Sequence, residues 1–282
     1  MPTQARKKPP PQTTKDYLVT LEHAIRTLSY GHHTFTIFRH FVELSALALS
    51  NVADPSNKAA REAQYLAIVK QYTPEEVQQF PPMFGMLVAC LEQETTDVLG
   101  MLYHRLALHN HQSGQFFTPY PLCQVMAKML VHDAKRLGEH HEYIRAHEPC
   151  VGSGAMVIAL TQALREEGIN YHHKLHVTAI DIDTVAVSMA YVQCTLLHIL
   201  ALICHGDTLT GEVYSVWRTF AHVMGFWDAR LARDRRTLPA PQKDPLVQPV
   251  APTADVLTPP LPTTPPPRSR RPQPPSGQLT LF

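Results

Sequence analysis

Between Phe116 and about Leu209 the sequence alternates short apolar runs with helical patterns. Ile144 to His147 reads as a strand, Ala155 to Glu167 as a helix, and Leu175 to Ile182 as a strand. Thr184 to His198 reads as a helix and Leu200 to Cys204 as a strand, with a further helix over Pro121 to Leu137 ahead of them. Strand-helix-strand-helix-strand in so few residues leaves no room for anything but right-handed crossovers and a parallel sheet. The predicted fold class is therefore α/β.

The acidic residues fall at the ends of these strands. Glu148 opens the turn Glu148-Pro149-Cys150-Val151-Gly152-Ser153-Gly154, Asp181 closes the second strand, and Asp207 follows the third. In such a turn the glycines let a ligand approach the backbone, the helix that follows offers free amides, and the acid accepts a hydrogen bond. Gly152 and Gly154 alone are a weak signal. Three carboxylates at the carboxyl ends of consecutive strands point to a nucleotide-type cofactor, with Asp181 at the ribose and Asp207 near an adenine amino group.

The rest of the chain reads differently. From Lys15 to about Asn110 apolar residues recur at helical spacing, as in Leu18, Leu21, Ile25 and Leu28. Thr73-Pro74-Glu75-Glu76 carries a capping box and a first-turn proline, and one long apolar helix is expected from Met83 to His109. Pro81-Pro82 reads as a helix breaker. After about Arg236 the composition collapses: 14 of the 25 prolines fall between Pro239 and Pro275. That predicts a disordered tail without a core. The expected organisation is 1–14 disordered, 15–112 a helical subdomain, 113–236 the cofactor-binding domain and 237–282 the tail.

Charge and cysteine content limit the partners. A net charge of +1 gives no global field for nucleic acid, so any contact with it needs a local patch, for which Arg230, Arg233, Arg235 and Arg236 are candidates. Five cysteines without zinc spacing suit a reduced cytosolic protein. Thr184 to Cys204 holds no Asp, Glu, Lys or Arg, yet polar residues interrupt it, and it reads as a buried helix and strand rather than a membrane span. The histidine clusters, including His109 and His111, His140-His141 and His172-His173 with His176, read as solvated loop residues and not as a metal site.

The segments Gly114-Gln115-Phe116-Phe117-Thr118-Pro119, Glu148 to Gly154, Ala179 to Asp183 and His205-Gly206-Asp207-Thr208 together resemble the N6-adenine DNA methyltransferases of the type I restriction-modification kind. That family has Asp where Glu148 stands, and Ala-Cys where Cys150-Val151 stands. The resemblance implies a class I S-adenosylmethionine-dependent, Rossmann-like core. It places Phe117, Thr118 and Pro119 around the methionine end of S-adenosylmethionine, Glu148 and Gly152 beside its amino-acid group, Asp181 at the ribose and Asp207 at the adenine. It also implies DNA as substrate and a bacterial or mobile-element-encoded cytoplasmic protein.

Chemistry in that family uses a fourth strand ending in Asn-Pro-Pro-Tyr or Asn-Pro-Pro-Phe, which holds the flipped adenine. No such motif follows Asp207; Glu212 to Asp228 offers aromatics and a possible strand only. Catalytic residues are therefore unassigned, and a separate specificity or catalytic subunit is one way to supply them. At the C-terminus, Gln278-Leu279-Thr280-Leu281-Phe282 resembles the peptide by which bacterial proteins dock onto the DNA polymerase sliding clamp. Gln278 would make polar contacts while Leu279, Leu281 and Phe282 fill apolar pockets. Two functions are thus expected to compete: an adenine-N6 methyltransferase and a non-catalytic, clamp-recruited adaptor that keeps the cofactor fold.

Overall fold

A computed structural model describes residues 13–108, 117–237 and 278–280. Gly114 to Phe116, His109 to His111, the prolines of the tail, Leu281 and Phe282 lie outside the described residues. The helical half consists of α1 (Thr14–Leu28), α2 (Thr34–Ala53), α3 (Lys58–Val69), the single turn α4 (Pro74–Val77), α5 (Phe80–Gln93) and α6 (Val98–Arg105). Thr13 and Asp16 form a capping box on α1, so Thr13 and Thr14, just ahead of the expected boundary at Lys15, are part of the helical half. Leu18, Leu21, Ile25 and Leu28 are all buried, and the fully enclosed Leu21 and Ile25 each contribute about 1.5–3 kcal/mol.

The long helix expected from Met83 to His109 is two helices. Asp97 ends the first path by capping the second: its Oδ1 accepts the Gly100 N–H at 2.9 Å and starts α6. Pro81 and Pro82 do not break a helix. They sit in the first turn of α5, where a missing N–H costs nothing.

The α/β half runs α7 (Tyr120–His140), β1 (Ile144–Glu148), α8 (Ala155–Glu166), the turn α9 (Tyr171–Lys174), β2 (Leu175–Asp181), α10 (Thr184–Leu196) and β3 (Leu200–Asp207). It continues with β4 (Glu212–Arg218), α11 (Phe220–Met224) and α12 (Trp227–Thr237). The last described element is β5 (Gln278–Thr280), a strand within the stretch expected to be disordered. Sheet order is β4-β3-β2-β1-β5. β1, β2, β3 and β5 are mutually parallel where they pair, as the alternating pattern requires, and β4 is antiparallel to β3.

α10 carries no charge and is buried nearly all round because it lies between the sheet and α2. Thus the charge-free run Thr184 to Cys204 is a core helix followed by a core strand. No helix among the described residues is long and apolar enough to cross a membrane. One apolar core continues from α1, α2 and α5 through α6 into α8, α10 and the strands. On the opposite face of the sheet Trp227 and Leu231 of α12 pack on Tyr143 and Leu200.

Candidate cofactor site

Parallel strands in register bring their carboxyl ends to one edge. Glu148 pairs with Ala179 and Asp181 with His205, so the three acidic strand ends line that edge in sequence order. At the end of β1 the chain turns through Gly152, at φ +54°, and Gly154, at φ +92°, before entering α8. Only glycine adopts such values freely. A Cβ on Gly152 would also stand 3.0 Å from the Phe117 ring, and one on Gly154 would touch the α10 backbone at Ala190, 3.4 Å away.

Two carboxylates hold this turn. Asp181 Oδ2 accepts the Gly152 N–H at 2.8 Å, while its Oδ1 accepts the Asp183 N–H at 3.0 Å. Burial pushes the Asp181 carboxyl up, and these backbone donors pull against it. Behind the turn Asp97 is fully enclosed and accepts from Ser153 Oγ at 2.7 Å and from Gln193 Nε2 at 2.8 Å. Gln193 also donates to the Ser153 carbonyl and accepts the Leu99 N–H. Asp97, Ser153 and Gln193 are the site residues that the sequence pattern did not single out. The available signal was the polar run Glu92 to Asp97, which places an Asp three residues ahead of Gly100 within the stretch read as one helix.

Phe117, Thr118, Glu148 and Gly152 meet around a cavity of about 160 Å³, together with Cys123, Met126, Cys150 and Met156. Phe117 is buried against Tyr103, ring centroids 4.7 Å apart. Pro119 takes the N-cap position of α7, one residue behind this wall. Glu148 is only 2% exposed. Its Oε1 accepts the Cys150 N–H at 3.1 Å, whereas its buried Oε2 has no hydrogen-bond partner. Burial raises the Glu148 carboxyl to about 7, against the pull of the Cys150 amide and with a smaller push from Asp181.

Asp207 also serves the chain's own turn. Its Oδ1 accepts the N–H of Leu209 at 2.8 Å and so shapes the turn into β4, while Thr208 Oγ1 donates to the Pro149 carbonyl at 2.5 Å. Ile182 and Leu209, beside Asp181 and Asp207, are 64% and 97% exposed. Gln278 and Leu279 lie far from these acids in sequence, yet their backbone pairs with β1 at Arg145 and Ala146. Of the arginines offered for phosphate contact, Arg230 and Arg233 both pair with Glu142. His176 is not a loop residue: it is 2% exposed on β2, stacked on Trp227, with Nε2 3.0 Å from His222 Nδ1.

The family model described as N-6 DNA Methylase matches residues 94–226. That span opens just ahead of Asp97 and takes in the glycine turn and all three acidic strand ends. Residues 94–226, a little under half of the chain, are thus similar to N-6 DNA methylases. No curated protein matches the chain. Among solved structures, a chain from Listeria monocytogenes assigned as a class I S-adenosylmethionine-dependent methyltransferase is similar at 14% identity and a TM-score of 0.42, over 71% of this chain and 55% of that one. The DrdV–DNA complex is similar at 15% identity and a TM-score of 0.35, over 79% of this chain and 28% of that one. This chain therefore spans about half of the first and about a quarter of the second, and at such scores they add nothing to the sequence match.

The methylase match implies S-adenosylmethionine as the cofactor. The residues present suit it: Glu148 is part of the cavity wall and has a buried carboxylate oxygen without a partner, complementary to a primary ammonium group, while Phe117, Met126 and Met156 supply apolar wall.

Proposed function

We propose that this chain is the cofactor-binding part of an adenine-N6 DNA methyltransferase, with DNA as the substrate of the assembly in which it works. The observation that carries the reading is the unpartnered Glu148 Oε2 at the head of the glycine turn. S-adenosylmethionine, when bound, supplies a methyl group on a sulfonium. Glu148 would hold its ammonium group, with Phe117, Thr118 and Pro119 on one side and the Gly152–Gly154 turn on the other. Asp181 would meet the ribose hydroxyls with the lone pairs that its backbone donors, led by the Gly152 and Asp183 N–H groups, leave free. Asp207 would meet the adenine amino group through Oδ2, since Oδ1 serves its own turn, and Ile182 and Leu209 would cover the base.

The transfer itself is not assigned to any residue of this chain. The sequence holds no Asn-Pro-Pro motif beyond Asp207, and β4 starts at the cofactor edge and runs away from it, Glu212 beside Asp207 and Arg218 beside Leu202. That direction favours a second reading, a non-catalytic adaptor that keeps the cofactor fold and reaches the sliding clamp through Gln278, Leu279, Leu281 and Phe282. A separate specificity or catalytic subunit fits the first reading.

Titration calorimetry with S-adenosylmethionine decides the cofactor site. Wild type should bind, and Asp181→Ala and Glu148→Gln should bind at least tenfold more weakly; no binding by wild type sinks both readings. Tritiated-methyl transfer to duplex and single-stranded DNA then separates them, since silence with intact cofactor binding favours the adaptor. For the clamp, equal retention of wild type and Leu281→Ala/Phe282→Ala on immobilised clamp ends that idea.

A further inference from the structure

In doubly wound sheets the strand that carries the glycine turn lies where the strand order reverses, and the ligand crevice opens at its carboxyl end on that side. Here β2 and β3 extend from one edge of β1, and β4 is confined to the far end of the sheet. The position beyond the other edge of β1 belongs to β5, which pairs Gln278 with Arg145, Leu279 with Ala146 and Thr280 with His147. β5 runs parallel to β1, towards the edge that carries Glu148.

The attachment is slight. Three residues of β5 cover an edge five residues long, and 40 residues lie between Thr237, at the end of α12, and Gln278. No described element other than β1 makes a substantial contact with β5. A strand held to its neighbour by three residue pairs is weakly held, so a free peptide of the same sequence can compete with it. An unfilled edge at that position would present the unpaired N–H and C=O groups of β1.

We propose that the outer edge of β1 is a peptide-binding edge, that its resident ligand is the chain's own C-terminal strand, and that withdrawal of this strand opens the crevice beside Glu148 to a parallel strand from another molecule. The inference does not depend on what the cofactor is. The ligand class is an extended peptide with the sequence of Ser276 to Phe282, recognised chiefly through its backbone.

The test uses the full chain and a fluorescein-labelled synthetic peptide of residues 276–282. Adjacent residues of a strand point their N–H groups to opposite sides, so Leu279→Pro/Thr280→Pro removes at least one donor to β1. That variant should bind the peptide at least tenfold more tightly than wild type. Its β1 amides at Arg145 to Glu148 should exchange hydrogen faster, and the peptide should restore their protection, while β2 and β3 stay protected. A second form, Arg145→Cys/Gln278→Cys oxidised to a cross-link between paired positions, keeps the strand seated and should bind no peptide. Equal binding to all three proteins, no binding to the proline variant, or unchanged β1 exchange overturns the proposal. If the proline variant loses protection across β2 and β3 as well, the comparison of the cross-linked form with wild type decides the matter: binding that survives the cross-link overturns the proposal, and binding that the cross-link abolishes supports it.

Discussion

Asp97 accepts a 2.7 Å hydrogen bond from the Ser153 hydroxyl and so joins the start of α6 to the glycine turn. The carboxylate is enclosed and has three donors, from Ser153, Gln193 and Gly100. Asp97→Ala leaves all three unpaired in the core and should cost roughly 2–4 kcal/mol. Asp97→Asn should cost about 1 kcal/mol, because the amide can donate to Ser153 while its oxygen accepts from the other two. Gly100→Ala, normally favourable in a helix, should destabilise here, since the new Cβ would lie 1.9 Å from Asp97 Oδ2. Urea unfolding of the three variants checks the order; an Asp97→Ala midpoint equal to wild type would show that the network adds nothing to stability.

Gly152 joins backbone strain to ligand access. At φ +54° an L side chain costs about 1–2 kcal/mol, and its Cβ would also push Phe117, 3.0 Å away. Gly152→Ala should therefore lower stability by that amount and weaken S-adenosylmethionine binding more than tenfold, because Phe117 must shift into the cavity. Calorimetry beside a melting curve separates the two effects. Undiminished affinity would mean that the cofactor does not sit against this turn.

Most of the sheet was legible because local chemistry repeats. β1, β2 and β3 each end in an acid, α8 begins after a glycine turn, and α10 begins after a cap in which Asp183 accepts the Val185 N–H. The direction of β4 was also within reach. Only four residues separate Asp207 from Glu212, too few for a parallel crossover, and Gly211 at φ +76° is the left-handed residue that closes a hairpin. Asp207 read as a ligand residue hid its role in that turn. The Asp97 network and the seat of β5 were not legible, since both join segments far apart in sequence through contacts with no local pattern. Asp97 and Gln193 are 96 residues apart, and Ala146 and Leu279 are farther still.

His176 and His222 share a 3.0 Å contact under Trp227, and both titrate below the usual histidine range. Burial is the main cause, and it takes His176 down to about 3. A depressed folded-state value means that the contribution to stability is present above the ordinary 6.5 and is lost as pH falls below it. At about pH 4.5 the loss from His176 should approach roughly 2–3 kcal/mol. His176→Phe can keep the stacking on Trp227 and has nothing to protonate, so its urea midpoint should fall less over the same range. Parallel curves for the two proteins would show that the pair does not titrate on unfolding.

Glu148 titrates with the opposite sign. Burial raises its carboxyl from 4.5 to about 7, so the folded protein favours the neutral form. Its contribution to stability is complete below 4.5 and is lost as pH rises through about 7. Glu148→Gln stays neutral and can still accept the Cys150 N–H. It should match wild type near pH 5 and exceed it above pH 8 by on the order of 1–3 kcal/mol, a difference read from paired urea titrations. Ligand binding should move the other way, because an ammonium group is best held by the ionised carboxylate. Wild-type affinity for S-adenosylmethionine should therefore climb between about pH 6 and 8, with Glu148→Gln gaining much less. If both proteins gain equally, the carboxylate that crowns β1 is a structural group and the ammonium group lies elsewhere.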